Sequence, residues 1–588
     1  MLASKWLLFL ALCLGGLHKA IAGKTSSSKR KASESESEDW AHFALHLHSS
    51  NQLPGTEAKR NIEKASRAGA KGLKLKAKKG NKNAARTLRR AWPKTTWPSL
   101  YWAQIPIKDK KTNTKILMNY PFQLPHEWLG QYMLDPRALQ RSQPAQGSKV
   151  HKALIKQSLR LSAADPQGAW MSGQHMALGF HGDGVPVQGT MRQESLDFLT
   201  INMPSNKHHK DLRVPFTVIQ GAWHVNYETK QAILEVLLWS LDCLKKGRYP
   251  TCRHDGTPWG AQDKKRAGLQ GSLPAKGILC EVKGDWDWLN SWLNFPTWNT
   301  GSGMCWLCEA KHINYKNWGP NDRKAGLDKA KFVERVQNMG KQLCPIWEWP
   351  ELIPSELCLP DWLHAVDQGI GADIAGQILV ELAEQQPGRA FKDRVACLWE
   401  EIKQLYKEFD VEYRLASLTP GVLNKDHKKT NKTATLKGLA AQIRHLIPLL
   451  PILTAKYFSG GNDHHQAVDK IARFLADAYQ RMESNDLARL PRLGHKVASQ
   501  HMALENEALR NDPNTTTWHI MPKLHMFQHI ADAPYSPKEY WCYRDETVGG
   551  ELAHLFRRRS GKNNPATNAS NCLLRWQQEN HFPAITLD

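Results

Sequence analysis

The chain has 588 residues, a formal net charge of +24, 41% hydrophobic residues and 23 Trp. That length exceeds one ordinary core and predicts two or three folded units plus tails, while the apolar content excludes a wholly disordered chain. The charge points to a polyanionic partner, nucleic acid before an anionic membrane, because no basic amphipathic helix stands out.

Residues 1–23 place Lys5 ahead of an apolar run, Trp6 to Leu17, and an Ala20-Ile21-Ala22 cleavage pattern. This is a signal-peptide-like segment, too short to span a bilayer comfortably, and no later apolar run is long enough. Eleven cysteines, odd in number and irregular in spacing, do not form a secreted disulfide framework, so the compartment signals conflict. The sequons at Asn431, Asn514 and Asn568 do not settle the matter.

Residues 24–90 read as a disordered basic tail. Between Lys24 and Lys94 there are 18 Lys and Arg against 6 Asp and Glu, a net +12 and half of the total charge. A solvating tail and a DNA-contacting tail both fit that composition. Residues 91–170 open Trp- and Pro-rich and then take helical spacing over Val150–Leu161.

From His175 the pattern is orderly. "HMALGFHGD" predicts a strand ending on Asp183, and Leu196–Pro204 and Val214–Trp223 predict two more. Glu228–Gly247 has helical periodicity closed by Lys-Lys-Gly, and Gly277–Val282 predicts a fourth strand running out onto Asp285 and Asp287. Asp183 lies between Gly182 and Gly184; a simple Asp-Gly turn and a metal ligand at a strand end both account for it.

Three strands, a helix and a fourth strand, with acids ending the first and fourth, is the order of an RNase H-like core. The expected class is therefore α/β, a mixed sheet whose first and fourth strands lie side by side and bring Asp183 to Asp285. Its first part spans 171–300. A CxxC segment and a mainly helical insertion follow over 301–517, with helices over Ala365–Gln386, Arg389–Phe409, Leu436–Phe458, kinked by Pro448 and Pro451, and His465–Glu483. Residues 518–588 hold the closing helix region and the C-terminal tail.

Four blocks in this order resemble the cut-and-paste DNA transposases with RNase H-like cores, the CACTA (En/Spm) and Kyakuja-Dileera-Zisupton groups. They are "GFHGDGVPV", "EVKGDWDWLNSWLNFPTWNTGSGMCWLC", "LCLPDWLHAVDQGIGADIAGQIL", and "MPKLHMFQHI" followed by "CYRDETVGGELAHLFRRR", covering about Gly179 to Arg559. The spacing between blocks varies within the family. The tail before residue 90 has no counterpart in it, and no DNA-binding zinc finger or helix-turn-helix precedes the core.

The resemblance implies an Asp-Asp-Glu site, Asp183, Asp285 and Glu546, holding Mg²⁺ or Mn²⁺ for DNA cleavage and strand transfer. Two carboxylates at adjacent strand ends and one from a helix suit a metal pair about 3.5–4 Å apart. Asp287 competes with Asp285, and Asp545 and Glu551 with Glu546; Asp545 and Glu546 also read as acids favouring a helix N-terminus. Asp361 and His364 in an Asp-x-x-His block, and His525, are near-site candidates, although a helix His is often a packing residue. His525 and His529 share a helix face at i and i+4; with 25 His in the chain that spacing is read as coincidence.

Cys305 and Cys308 have zinc spacing, with His312 as the chosen completion and Cys344 and Cys358 also available; two unligated cysteines fit equally. Arg557, Arg558 and Arg559 are candidate DNA contacts or a solvated helix end. The partners implied are transposon ends and target DNA, with a homo-oligomer left open, and such a protein would be nuclear. Two rivals remain: a catalytically inactive, transposon-derived nucleic-acid-binding protein, and a secreted basic protein if the signal segment works.

Overall fold

The computed structural model describes residues 97–580 except 111, 136–137, 139, 141, 165–174, 188–194, 205–212, 302, 317–324, 424–432 and 558–563. The signal-like segment, the basic tail, Asn431, Arg558 and Arg559 lie outside the described residues. Contacts divide the chain into Met1–Thr96 with Gln578–Asn580 and Trp97–Gln577 with His581–Asp588. The sheets and the helices packed on them lie in the second unit.

Tyr101–Lys108 (β1) and Lys115–Phe122 (β2) form an antiparallel hairpin. β1 alternates buried and exposed side chains, the period of a half-covered strand. Pro125–Tyr132 (α1) and Lys149–Ala164 (α2) follow. The central sheet is built from His175–Pro186 (β3), Ser195–Asn202 (β4), Arg213–Gln220 (β5) and Lys276–Lys283 (β6).

Its order is β5-β4-β3-β6: β3, β4 and β5 are antiparallel neighbours, and β6 joins β3 in parallel. A parallel neighbour needs a crossover, supplied by Glu228–Lys246 (α3). That helix stops where Gly247 takes φ 65°, a left-handed cap that glycine adopts without steric cost.

The continuous apolar runs of β3, β5 and β6 reflect cover on both faces. α2 lays Val150, Leu154 and Leu161 on Ala177, Ile278 and Cys280, while α3 brings Leu244 against Gly277 on the alternate side chains' face. The β5 edge is covered by the hairpin: the Gln123 N–H donates to Phe216 O at 2.9 Å and the Thr217 hydroxyl to Pro121 O at 2.9 Å. Pro215 is tolerated on this edge strand, where one missing donor breaks no inner ladder.

Past β6, Trp286–Leu293 (α4) and Lys329–Asn338 (α5) lead to a wide helical turn, Leu363–Ile370. It continues into Gly371–Glu384 (α6) and Phe391–Glu408 (α7). Ala440–Leu446 (α8) and Leu450–Phe458 (α9) are separated by a tight turn over Ile447–Leu449, so the expected proline kink is present. Asp463–Ser484 (α10), Leu490–Asn511 (α11) and Lys523–Asp532 (α12) return the chain to the sheet through Tyr543–Arg557 (α13), followed by Pro565–Glu579 (α14).

One large cluster of buried apolar side chains runs from Trp97 to Trp576 through sheet and helices, beside the smaller one under α2. One expectation changes. β3 does not end on Asp183: it runs to Pro186, with Gly184 paired to Asp197 and Val185 to Leu196. Among the described residues no helix is long and apolar enough to cross a membrane.

Candidate functional site

The last pair between β3 and β6 is His181 with Lys283, so Asp183 and Asp285 hold equivalent positions two residues beyond it. There the two chains diverge. β3 continues along β4, whereas Asp285 turns its chain into α4 as the N-cap, accepting the Trp288 N–H at 2.5 Å. The Trp288 ring then lies on Gly182, where an added Cβ would stand 2.0 Å from ring Cζ2. A glycine precedes Asp183 because any side chain there would lift α4 and the Asp285 that starts it.

Glu546 arrives on α13, which docks on β3 and β4 through Gly549; a Cβ there would meet the Phe198 ring at 2.6 Å. The helix start is fixed by Asp361, whose Oδ1 accepts the Cys542 N–H at 2.8 Å. Asp361 Oδ2 accepts the His364 N–H at 3.1 Å and lies 2.7 Å from His364 Nδ1, which aims Nε2 at Glu546 Oε1, 3.6 Å away. One ligand atom each from Asp183, His364 and Glu546 lies within 4.8 Å of the others.

This cluster has an excess of negative charge. Burial, then the hydrogen bond and charge of Glu546, push the Asp183 carboxyl well above the usual carboxylate range. Burial and the charges of Asp361, Asp285 and Asp545 also raise Glu546, although its hydrogen bond with Asp183 opposes them. Asp361 is lowered: burial opposes its charge, but hydrogen bonds from His364 and the Cys542 N–H outweigh it. Burial works against a charged His364, yet Asp361, Asp183 and Asp285 together raise it. Glu546 Oε1 is buried and accepts no hydrogen bond. This incompletely satisfied group of two carboxylates and an imidazole could hold a metal ion.

Asp285 stands outside the tight group, acting on its members through charge while one oxygen caps α4. Asp287 is exposed in the first turn of α4. Asp545 does not join the cluster. It is fully buried and neutralised by Lys283 at 2.7 Å and Arg213 at 2.6 Å, with the Asn202 amide donating at 2.8 Å. Those cations outweigh burial and hold its carboxyl far below the usual range. One residue of helix rotation thus separates a scaffold acid from a site acid. Glu551 is exposed further along α13, and Arg557, also exposed, donates Nε to Ala553 O at 3.2 Å.

Two further groups belong to this region. His181, on β3, is fully buried with neither ring nitrogen hydrogen-bonded, and burial lowers it to about 4. Lys523, at the start of α12, donates to Gln368 O at 3.2 Å and borders a cavity of about 310 Å³ beside the cluster. Asp285, Asp287 and His364 line the same cavity, whose wall includes Trp286 and the 41%-exposed Trp298.

His525 leads elsewhere. With His529 on the same face of α12, it meets Cys305 and Cys308: Cys308 Sγ lies 3.4 Å from His525 Nε2, and Cys305 Sγ lies 3.4 Å from His529 Nε2. His312, the expected completion of the cysteine pair, is exposed, its ring beside Tyr315, because the chain turns away after Cys308. Cys344 and Cys358 are buried outside the group. The missed signal was the pairing of C-x-x-C with H-x₃-H across more than 200 residues.

No protein-family model matches this chain, and no curated protein matches it at the level of sequence.

Proposed function

We propose that this chain is a transposase-like protein that cuts DNA strands and joins them to target DNA, using divalent metal held by Asp183, Glu546 and Asp285. One observation carries the reading: Asp183 and Glu546, distant in sequence, converge in a partly buried cluster beside the matching end of a parallel strand. The strand order and directions support an RNase H-like core.

A bound Mg²⁺ or Mn²⁺ pair would supply Lewis acidity to the phosphate and activate the attacking oxygen. Asp183 and Glu546 offer the carboxylate oxygens, and Asp361 holds His364 in one orientation and favours its charged form, suited to donate to a phosphate oxygen. The cavity walled by Trp286 and Trp298 has the aromatic faces on which an unstacked base rests. Such chemistry favours the nucleus over the secretory pathway. Of the described sequons, Asn514 is exposed and Asn568 is buried on α14.

The test uses the full chain with supercoiled plasmid and Mn²⁺. Asp183→Asn should abolish metal-dependent strand cleavage while DNA affinity holds; cleavage equal to wild type refutes the assignment. A second reading, a catalytically inactive binding protein, is favoured by the capping role of Asp285. Mn²⁺ and DNA binding by wild type without cleavage would select it.

A further inference from the structure

We propose that Cys305, Cys308, His525 and His529 bind a structural Zn²⁺ that pins the segment after α4 to helix α12. One ligand atom from each of the four residues lies within 4.8 Å of the other three. A tetrahedral Zn²⁺ with Zn–S near 2.3 Å and Zn–N near 2.0–2.1 Å requires S···N edges of roughly 3.5 Å and an N···N edge of roughly 3.3 Å. The separations are 3.4 Å for Cys305–His529, 3.4 Å for Cys308–His525 and 3.1 Å between the two Nε2 atoms. Four soft or borderline donors within 4.8 Å of one another, three of their separations near tetrahedral edge lengths, suit zinc and not the hard cations expected beside Asp183.

The surroundings are built for the same purpose. Both cysteines are free and buried, and the Leu307 N–H donates to Cys305 Sγ at 3.3 Å, a contact that disperses thiolate charge. The Arg335 guanidinium clamps the turn, donating to Cys305 O and, at 3.1 Å, to Cys308 O. The i,i+4 spacing of His525 and His529 on α12 aims both rings at one point. Four protein donors leave no open position, so the ion would be structural rather than catalytic.

Its location gives it a task. Trp306, between the cysteines, and Met526, between the histidines, both line the cavity beside Asp285, as does Lys523 on the same helix. Zinc would therefore fix one wall of that cavity. These four residues would hold the ion whether or not the chain acts on DNA.

The experiment is metal analysis of the full chain purified without chelator from zinc-replete cells, followed by Co²⁺ exchange. About one Zn²⁺ per chain is expected, and Co²⁺ should give the intense visible bands of a tetrahedral site with a thiolate charge-transfer band. Joint Cys305→Ser and Cys308→Ser substitution should abolish both signals, His529→Cys should retain zinc with an altered cobalt spectrum, and Asp183→Asn should leave zinc unchanged. Wild-type protein holding less than about one-tenth equivalent, with no tetrahedral cobalt spectrum, would overturn the proposal. So would full zinc retention by the double serine variant. The wild-type measurements decide the matter even if that variant does not fold.

Discussion

Asp545 and Glu546 are adjacent acids on α13, and removing their charges should move stability in opposite directions. Asp545→Asn leaves the buried Lys283 and the part-buried Arg213 beside a neutral amide, a loss of about 3–5 kcal/mol for a broken buried ion pair. For a cooperative unit of about 480 residues, an unfolding entropy near 2.1 cal/mol/K per residue gives about 1 kcal/mol per degree, so the melting temperature should fall roughly 3–5 °C. Glu546→Gln removes a charge from an over-negative cluster, so without added Mg²⁺ or Mn²⁺ it should not lower the melting temperature.

The pH dependences differ in sign. Asp545 is depressed in the folded state, so its stabilisation is complete above about pH 4 and fades as pH falls below that. Glu546 is raised, so the folded state retains a proton that the unfolded chain releases; its cost, and the advantage of Glu546→Gln, grows as pH rises above about 4. Scanning calorimetry of the three proteins from about pH 2 to about pH 8 reads both trends. Adding Mn²⁺ should then raise the wild-type midpoint and leave Glu546→Gln nearly unmoved. An Asp545→Asn midpoint equal to wild type, or a Glu546→Gln loss of similar size, would refute this division of roles.

Gly182→Ala drives a methyl group into the Trp288 ring and should cost about 1–3 kcal/mol, with weakened Mn²⁺ binding because Asp285 moves with α4; unchanged melting and Mn²⁺ titration would contradict the close approach. Asp361→Asn removes the partner that raises His364, so the ring should lose its proton at lower pH and the onset of Mn²⁺ binding should shift to more acid conditions. An unshifted profile would remove His364 from the cluster's electrostatics. Deleting residues 24–90 should flatten the salt dependence of DNA binding by about 0.9 in log–log slope for each lost phosphate contact; an unchanged slope would make the tail a solvating segment only.

The sequence by itself determined the elements whose patterns are local. The apolar runs of β4, β5 and β6, the period and Lys-Lys-Gly stop of α3, and the proline break between α8 and α9 were all legible, as was the side-by-side pairing of β3 with β6 once the strand order was read. The β1–β2 hairpin was not, because Pro106, Pro121 and neighbouring Trp residues obscure its alternation. Nor was the extension of β3 beyond Asp183, since Asp-Gly reads as a turn until β4 is present to pair with it.

Tertiary structure alone decided the site. Periodicity reports which face of an element is buried, not what buries it, so the rotation of α13 that gives Asp545 to Lys283 and Arg213 and Glu546 to Asp183 carries no local signature. The meeting of Cys305 and Cys308 with His525 and His529 is of the same kind. Each half is visible as a spacing, but only the packing of α12 against the loop after α4 brings donors more than 200 residues apart to within 4.8 Å of one another.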